Sequence, residues 1–160
     1  APALLATANC FELQKLPAKA KGLLKQISKL NRRSDEADAF EAAWLVSAEQ
    51  AFNAGKLDQA QDFCQKCLQY NKSCVGAWEI LGMVCERETG VIDAGECYEH
   101  AWRHCSESDP GIGFKLAFVL FKAKAMVQCV DVCRAVLSKF PTYPKIKKDI
   151  MKKAQLAIRP

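Results

Sequence analysis

The stretch that decides the fold is Trp78-Glu79-Ile80-Leu81-Gly82-Met83-Val84-Cys85, which is followed by Ala94, Tyr98 and Ala101. Apolar and small residues recur here at spacings of three and four, the period of one face of an α-helix. Gly82 and Ala94 are small, and small side chains at a helix crossing let two helices approach closely. The stretch therefore predicts a pair of closely packed helices.

The same order of residues recurs along the chain. It lies 34 residues earlier around Trp44 and 35 residues later around Ala117, and a fainter copy begins at Leu4. The order is typical of the tetratricopeptide repeat, a helix–turn–helix unit with the signature W-x-x-L-G-x-x-Y, A-x-x-x-F and a closing proline. One such hairpin cannot bury its own apolar face, so stacked neighbours supply the core. We predict an all-α solenoid of about four hairpins.

The predicted hairpins lie at about residues 1–34, 41–74, 75–108 and 110–142, and a capping helix follows at about 143–158 in the same solenoid segment. Ser73 and Asp109-Pro110 carry the signals that begin a following helix. The capping helix has a predicted apolar stripe and a lysine-rich opposite side, as the end of a longer array requires. The stripe comprises Ile146, Ile150, Ala154, Ala157 and Ile158. The repeat-packing residues are Trp44, Ala48, Ala60, Trp78, Gly82, Ala94, Tyr98, Ala117 and Pro141.

Two groups of residues are candidates for protein interaction. Residues 144–160 hold six basic residues against one acidic residue, within a net charge of +5 for the whole chain. Lys145, Lys148 and Lys152 either face an acidic partner surface or form an ordinary solvated face, which nucleic acid is not needed to explain. Phe118 and Phe121 lie off the packing stripe of their helix, so they either contact a partner in the groove or are covered by the capping helix.

The sequence favours no catalytic or cofactor chemistry. It has no phosphate-binding glycine loop, nucleophile elbow or H-E-x-x-H motif, so we predict no enzyme, cofactor or small-molecule substrate. No apolar run is long enough to insert in a membrane. Cys64 and Cys67 form a C-x-x-C with Cys74 nearby, but no second C-x-x-C follows at a zinc-site spacing. Together with Cys129 and Cys133 they occupy packing positions, so the pattern favours reduced, buried thiols without metal over a zinc or redox site.

Three stretches carry a family resemblance: residues 71–79, residues 113–118 and, above all, Phe140-Pro141-Thr142-Tyr143-Pro144-Lys145-Ile146-Lys147-Lys148-Asp149-Ile150 with the terminal Arg159-Pro160. They resemble the end of the tetratricopeptide repeat protein 21 family. The resemblance implies the large repeat subunit of intraflagellar transport complex A, which acts in retrograde ciliary transport with the other subunits of that complex as partners. It implies a location in the cytoplasm, the cilium or flagellum and the ciliary base. A peptide-binding adaptor of another intracellular complex remains the alternative.

Overall fold

In the computed structural model, the described residues are Gly22, Gln26, 37–143 and 146–158, and among them no strand occurs. The elements in chain order are α1 (Ala37–Asn53), α2 (Leu57–Tyr70), α3 (Val75–Glu88), α4 (Val91–His104), α5 (Pro110–Lys122), α6 (Met126–Lys139), a π-helix at Ile146–Met151 and α7 (Lys152–Ile158). The predicted all-α class is confirmed. The predicted hairpin at 1–34 lies outside the described residues, except that Gly22 and Gln26 are helical.

Two compact units divide the chain, Ala1–Ile80 and Leu81–Pro160, with the boundary inside α3. In the first unit α1 packs along α2. Ala48 and Ala60 are fully buried, and their small size allows this close approach. Trp44 of α1 stacks on Phe63 of α2, with 5.8 Å between ring centroids.

The second unit is built on two glycines at helix crossings. A Cβ added at Gly82 would lie 2.5 Å from Cε1 of Tyr98, so only glycine lets α3 meet the buried tyrosine ring of α4. A Cβ at Gly113 would lie 2.4 Å from Cγ2 of Val136 and 2.8 Å from Cζ3 of Trp102. Gly113 therefore sets the distance at which α5 packs against both α4 and α6.

The turns inside the hairpins share one hydrogen-bond pattern. The backbone N–H of Lys56 donates to Ala51, that of Gly90 to Cys85 and that of Ala125 to Leu120, each to the carbonyl five residues back. Such bonds satisfy the last free carbonyls of a helix and normally need a left-handed residue at the turn. In the first turn Gly55 supplies it with a φ of 73°. In the third, Lys124 adopts a φ of 62° despite its side chain.

Of the two helix starts predicted from the sequence, the structure confirms one. The carboxylate of Asp109 accepts hydrogen bonds from the backbone N–H groups of Gly111 (2.7 Å) and Ile112 (3.4 Å), and Pro110 begins α5 as predicted. The prediction for Ser73 is wrong, because α3 begins at Val75 and the residue before it is Cys74. The N–H of Ser73 instead donates to the side chain of Asn71, which closes a tight turn.

The cap differs from the predicted single α-helix. It begins with the π-helix, and Ile146, Ile150 and Ala154 are buried against α5 and α6. The prediction of Ala157 and Ile158 on the same stripe is wrong, since Ala157 is exposed and Ile158 is 46% exposed. The prediction assumed a period of 3.6 residues, whereas π-helical bonds join residues five apart and lengthen the turn, so later residues rotate off the stripe.

Among the described residues, no helix is both long and apolar enough to span a membrane.

Candidate functional site

An exposed aromatic group on α5 is the first candidate surface. Phe118 is 37% exposed, and its ring stacks on Phe114 at a centroid distance of 6.4 Å. The Nζ of Lys122 lies 4.4 Å from the Phe118 centroid, and Tyr143 meets Phe114 edge-on at 6.3 Å. Phe121 is half-buried. The cap therefore does not cover Phe118, and we call Phe114, Phe118, Lys122 and Tyr143 the aromatic ridge.

A cluster of exposed lysines on the cap is the second candidate surface. Lys147 and Lys148 project from the π-helix and Lys152 and Lys153 from the start of α7, and all four are exposed. The side chains buried beneath them are those of Ile146, Ile150 and Ala154. We call these four lysines the basic face. Lys145, also predicted here, lies outside the described residues.

The predicted packing residues fall into three groups. Ala48, Ala60, Gly82, Ala94, Tyr98 and Ala117 are buried. Trp44 and Trp78 are half-buried: the Nε1 of Trp78 donates to the carbonyl of Lys72 at 2.8 Å, while the Nε1 of Trp44 is buried without a hydrogen-bond partner among the described residues. The prediction for Pro141 is wrong, because it is exposed in the turn after α6 and ends that helix without packing.

The buried cysteines Cys64, Cys129 and Cys133 suit the predicted packing role. All three have no exposed surface, and no disulfide joins any of the eight described cysteines. The Sγ of Cys129 donates to the carbonyl of Ala117 at 3.3 Å, which satisfies its weak donor within the hairpin. A hydrogen bond to Cys129, together with burial, raises the pKa of Cys133. Among the described residues, no carboxylate lies close enough to Cys129 and Cys133 to form a metal site with them.

Cys67 has a different neighbour from the one that the C-x-x-C spacing suggests. Its Sγ donates to the Sγ of Cys74 at 3.4 Å, and the ligand atoms of Glu41, Cys67 and Cys74 all lie within 4.8 Å of one another. The hydrogen bond to Cys74, added to burial, raises the pKa of Cys67. The same bond lowers the pKa of Cys74. Burial and the Glu41 carboxylate oppose this shift, and the backbone N–H of Ala77 in the first turn of α3 supports it. We call these three residues the thiol–carboxylate cluster.

This cluster was not predicted from the sequence, in which Cys74 stands only near the C-x-x-C pair and the repeat pattern assigns Glu41 no role. Glu41 lies 33 residues before Cys74, and only the packing of α1 on α2 brings it there. The available signal was a cysteine directly before a helix, where backbone N–H groups favour a thiolate.

Comparison with protein families gives a match over nearly the whole chain. The family described as "Tetratricopeptide repeat protein 21 C-terminal ARM domain" matches residues 1–155. Tetratricopeptide repeat protein 21B of Homo sapiens is 41% identical over 159 residues, and protein 21A of Mus musculus is 43% identical over 159 residues. A Caenorhabditis elegans homolog is 39% identical over 157 residues. The alignments cover 98% or 99% of this chain and 12% of each relative's length.

Solved structures of low sequence identity share the fold. MamA (AMB-1) superposes with a TM-score of 0.75 at 15% identity, covering 98% of this chain and 81% of MamA. The Cut9–Hcn1 hetero-tetramer gives 0.66 at 14% identity, covering 99% of this chain and 30% of the matched one. With the family match, these confirm the predicted tetratricopeptide-type helical repeat fold. A fold of this type indicates protein–protein interaction.

Proposed function

This chain belongs to the tetratricopeptide repeat protein 21 family, and we propose on that basis that it is part of a non-enzymatic scaffold subunit of intraflagellar transport complex A. The proposed role is retrograde transport in the cilium or flagellum, with a location that also includes the cytoplasm and the ciliary base. Its proposed partners are the other subunits of that complex. The chain spans 12% of the length of the relatives it matches, so it would contribute one surface of a much larger subunit.

The basic face is the observation that carries the proposal of a partner surface here. Lys147, Lys148, Lys152 and Lys153 are exposed over two short consecutive helices, and Asp149 is the one acidic residue among the described residues of the cap. Like charges so close together repel one another and do not stabilise the fold. Rows of exposed positive charge steer association with acidic surfaces and set its rate. The partner surface that contacts the cap should therefore be acidic.

Charge reversal tests this surface. Lys148→Glu with Lys152→Glu should leave the unfolding free energy within about 0.5 kcal/mol of the original, because exposed substitutions rarely do more. The same variant should recover less of the partner subunits in pull-downs at low salt, and the difference should shrink at high salt as screening grows. Lys56→Glu with Lys72→Glu is the matched control, since both residues are exposed in the first unit and the net charge changes equally.

The pull-down distinguishes a wrong partner surface from a wrong partner complex. Equal recovery by all three proteins at low salt would rule out the basic face as the partner surface. Absence of the complex A subunits from pull-downs with the unsubstituted chain would rule out the proposed assembly itself.

The aromatic ridge favours a second candidate, a peptide-binding adaptor. The exposed stacked rings could contact an apolar side chain of a bound peptide, and the neighbouring lysine could pair with an acidic residue that follows it in that peptide. Phe118→Ser should then abolish saturable binding of short peptides taken from recovered partners, measured by fluorescence anisotropy, and leave the helical content unchanged. Unaltered peptide affinity in that variant, or a stable stoichiometric complex that no short peptide reproduces, would exclude the adaptor.

A further inference from the structure

Three metal-ligating side chains meet in the first unit, where α1, the end of α2 and the turn before α3 come together. Glu41 belongs to α1, Cys67 to the last turn of α2, and Cys74 directly precedes α3. The two sulfur atoms are 3.4 Å apart, and both lie within 4.8 Å of a carboxylate oxygen of Glu41. Both cysteines are buried, whereas Glu41 is half-buried and gives the cluster an edge toward solvent.

These separations suit a tetrahedral zinc ion. Zinc binds thiolate sulfur at about 2.3 Å and carboxylate oxygen at about 2.0–2.2 Å, so two sulfur ligands of one ion lie about 3.7–3.8 Å apart and sulfur and oxygen ligands about 3.5–3.7 Å apart. The sulfur atoms of Cys67 and Cys74 would have to separate by a few tenths of an ångström. Side-chain rotation can supply that without moving a helix.

The surrounding hydrogen bonds hold the ligands in place. The Nδ2 of Asn71 donates to Oε1 of Glu41 at 3.1 Å, which orients the carboxylate, and a side-chain hydrogen bond also joins that carboxylate to Cys74. The Oδ1 of Asn71 accepts from the N–H of Ser73 at 2.9 Å, and the N–H of Cys74 donates to the carbonyl of Asn71 at 3.1 Å. Partners of this kind fix metal ligands and contribute to affinity.

The start of α3 also lies beside the sulfur of Cys74. Cys74 directly precedes α3, and the N–H of Ala77 in the first turn of that helix donates to its sulfur. The positive end of the helix dipole stabilises negative charge there. The pair Cys129 and Cys133 has no nearby carboxylate among the described residues, and neither thiol directly precedes a helix, since both lie inside α6.

We propose that Glu41, Cys67 and Cys74 bind one thiophilic divalent cation, zinc, with an exchangeable fourth ligand. On binding, the zinc ion forms two bonds to sulfur and one to a carboxylate oxygen, and the two thiols release two protons to solvent. The bound ion would join α1 to the turn between α2 and α3. This proposal goes beyond the scaffold function and does not depend on which partner binds.

The test is a cobalt titration of the whole chain, reduced and treated with chelator. Cobalt(II) is the probe because thiolate ligation gives charge-transfer absorption and tetrahedral geometry gives intense visible bands. We expect one cobalt per chain, displacement by zinc, two protons released per ion at a pH where both thiols are protonated, and a melting temperature that rises with zinc. Glu41→Gln should weaken binding at least tenfold, and Asn71→Ala should weaken it about 10–100-fold.

A matched pair of double variants locates the ion. Cys67→Ser with Cys74→Ser should lose the charge-transfer absorption, and Cys129→Ala with Cys133→Ala should bind like the unsubstituted chain. If the first double variant loses helical content, Glu41→Gln decides, because it changes charge with almost no change in volume. The proposal is overturned if the unsubstituted chain shows no thiolate–cobalt absorption at stoichiometric cobalt, if Glu41→Gln binds unchanged, or if only the Cys129 and Cys133 variant loses the metal.

Discussion

The crossing of α3 and α4 at Gly82 offers a direct test of the repeat register. In Gly82→Ala the new Cβ would lie 2.5, 2.7 and 2.8 Å from three carbons of the Tyr98 ring. That ring has no exposed surface, and its hydroxyl donates to Oε1 of Glu86 at 2.6 Å, so it cannot easily swing away. The helices must therefore separate or the ring must leave its preferred rotamer.

The magnitude follows from two opposing contributions. Replacing glycine by alanine inside a helix stabilises it by about 0.8–1 kcal/mol, and overpacking a closed crossing costs about 1–3 kcal/mol. Gly95 is the matched control, since it lies inside α4 and a Cβ there would meet only Cγ2 of Val119 at 3.9 Å, an ordinary contact. Gly95→Ala should gain the helix contribution alone. The difference between the variants, about 1–3 kcal/mol, isolates the clash.

Urea unfolding followed by circular dichroism at 222 nm measures this difference. With a urea m-value of about 2 kcal/mol/M, a 2 kcal/mol difference separates the two midpoints by about 1 M. Introducing Tyr98→Leu as a second change should reduce the cost of Gly82→Ala, because a smaller side chain leaves room, with a coupling energy of about 1 kcal/mol or more. Equal midpoints for Gly82→Ala and Gly95→Ala would refute the assigned crossing.

Four further changes test other parts of the molecule. Lys124→Gly should stabilise the fold by about 1 kcal/mol in urea unfolding, because it relieves a left-handed residue with a side chain. Asp109→Ala should cost about 1 kcal/mol in the same assay through loss of the helix cap. Partial desolvation of the carboxylate, with repulsion from Glu79, raises the pKa of Glu49 although its side chain is exposed. The folded state then binds that proton more tightly and stability falls as pH rises through the range of that pKa, so Glu49→Gln should raise the melting temperature at pH 7 but not below about pH 4. Removing all residues after Thr142 should cause aggregation, seen by light scattering, because the apolar surface under the cap is uncovered.

The repeat positions could be predicted because they depend on local spacing. The order Trp78, Gly82, Ala94 and Tyr98 fixes which helix faces meet, and the structure buries Gly82 against Tyr98 as the order implies. Lys124 shows where such inference stops. The hairpin of α1 and α2 marks its turn with Gly55, but no glycine marks the corresponding turn at Lys124, which the backbone φ and hydrogen bonds of the structure reveal.

The thiol–carboxylate cluster could not be predicted for a related reason. Residues three apart on a helix share a face, so Cys64 and Cys67 suggested a pair. The sulfur that Cys67 contacts belongs to Cys74, which a tight turn folds back over the end of α2. Turn geometry of this kind depends on the side chain of Asn71, to which the repeat period assigns no structural role.

In the cap, the buried residues that stabilise the fold and the proposed partner surface lie on opposite faces of the same short segment. Ile146, Ile150 and Ala154 are buried and close the last hairpin, so substitutions there should change the unfolding free energy. The lysines opposite bury nothing that the fold needs, so their replacement should change association and leave unfolding almost unaltered. Substitutions on the exposed face of the cap can therefore alter partner binding while the buried face still covers the core. For that reason the charge-reversal pull-down and the truncation after Thr142 should give independent results, and a variant of Lys148 or Lys152 that also aggregated would show that the two faces are not separable.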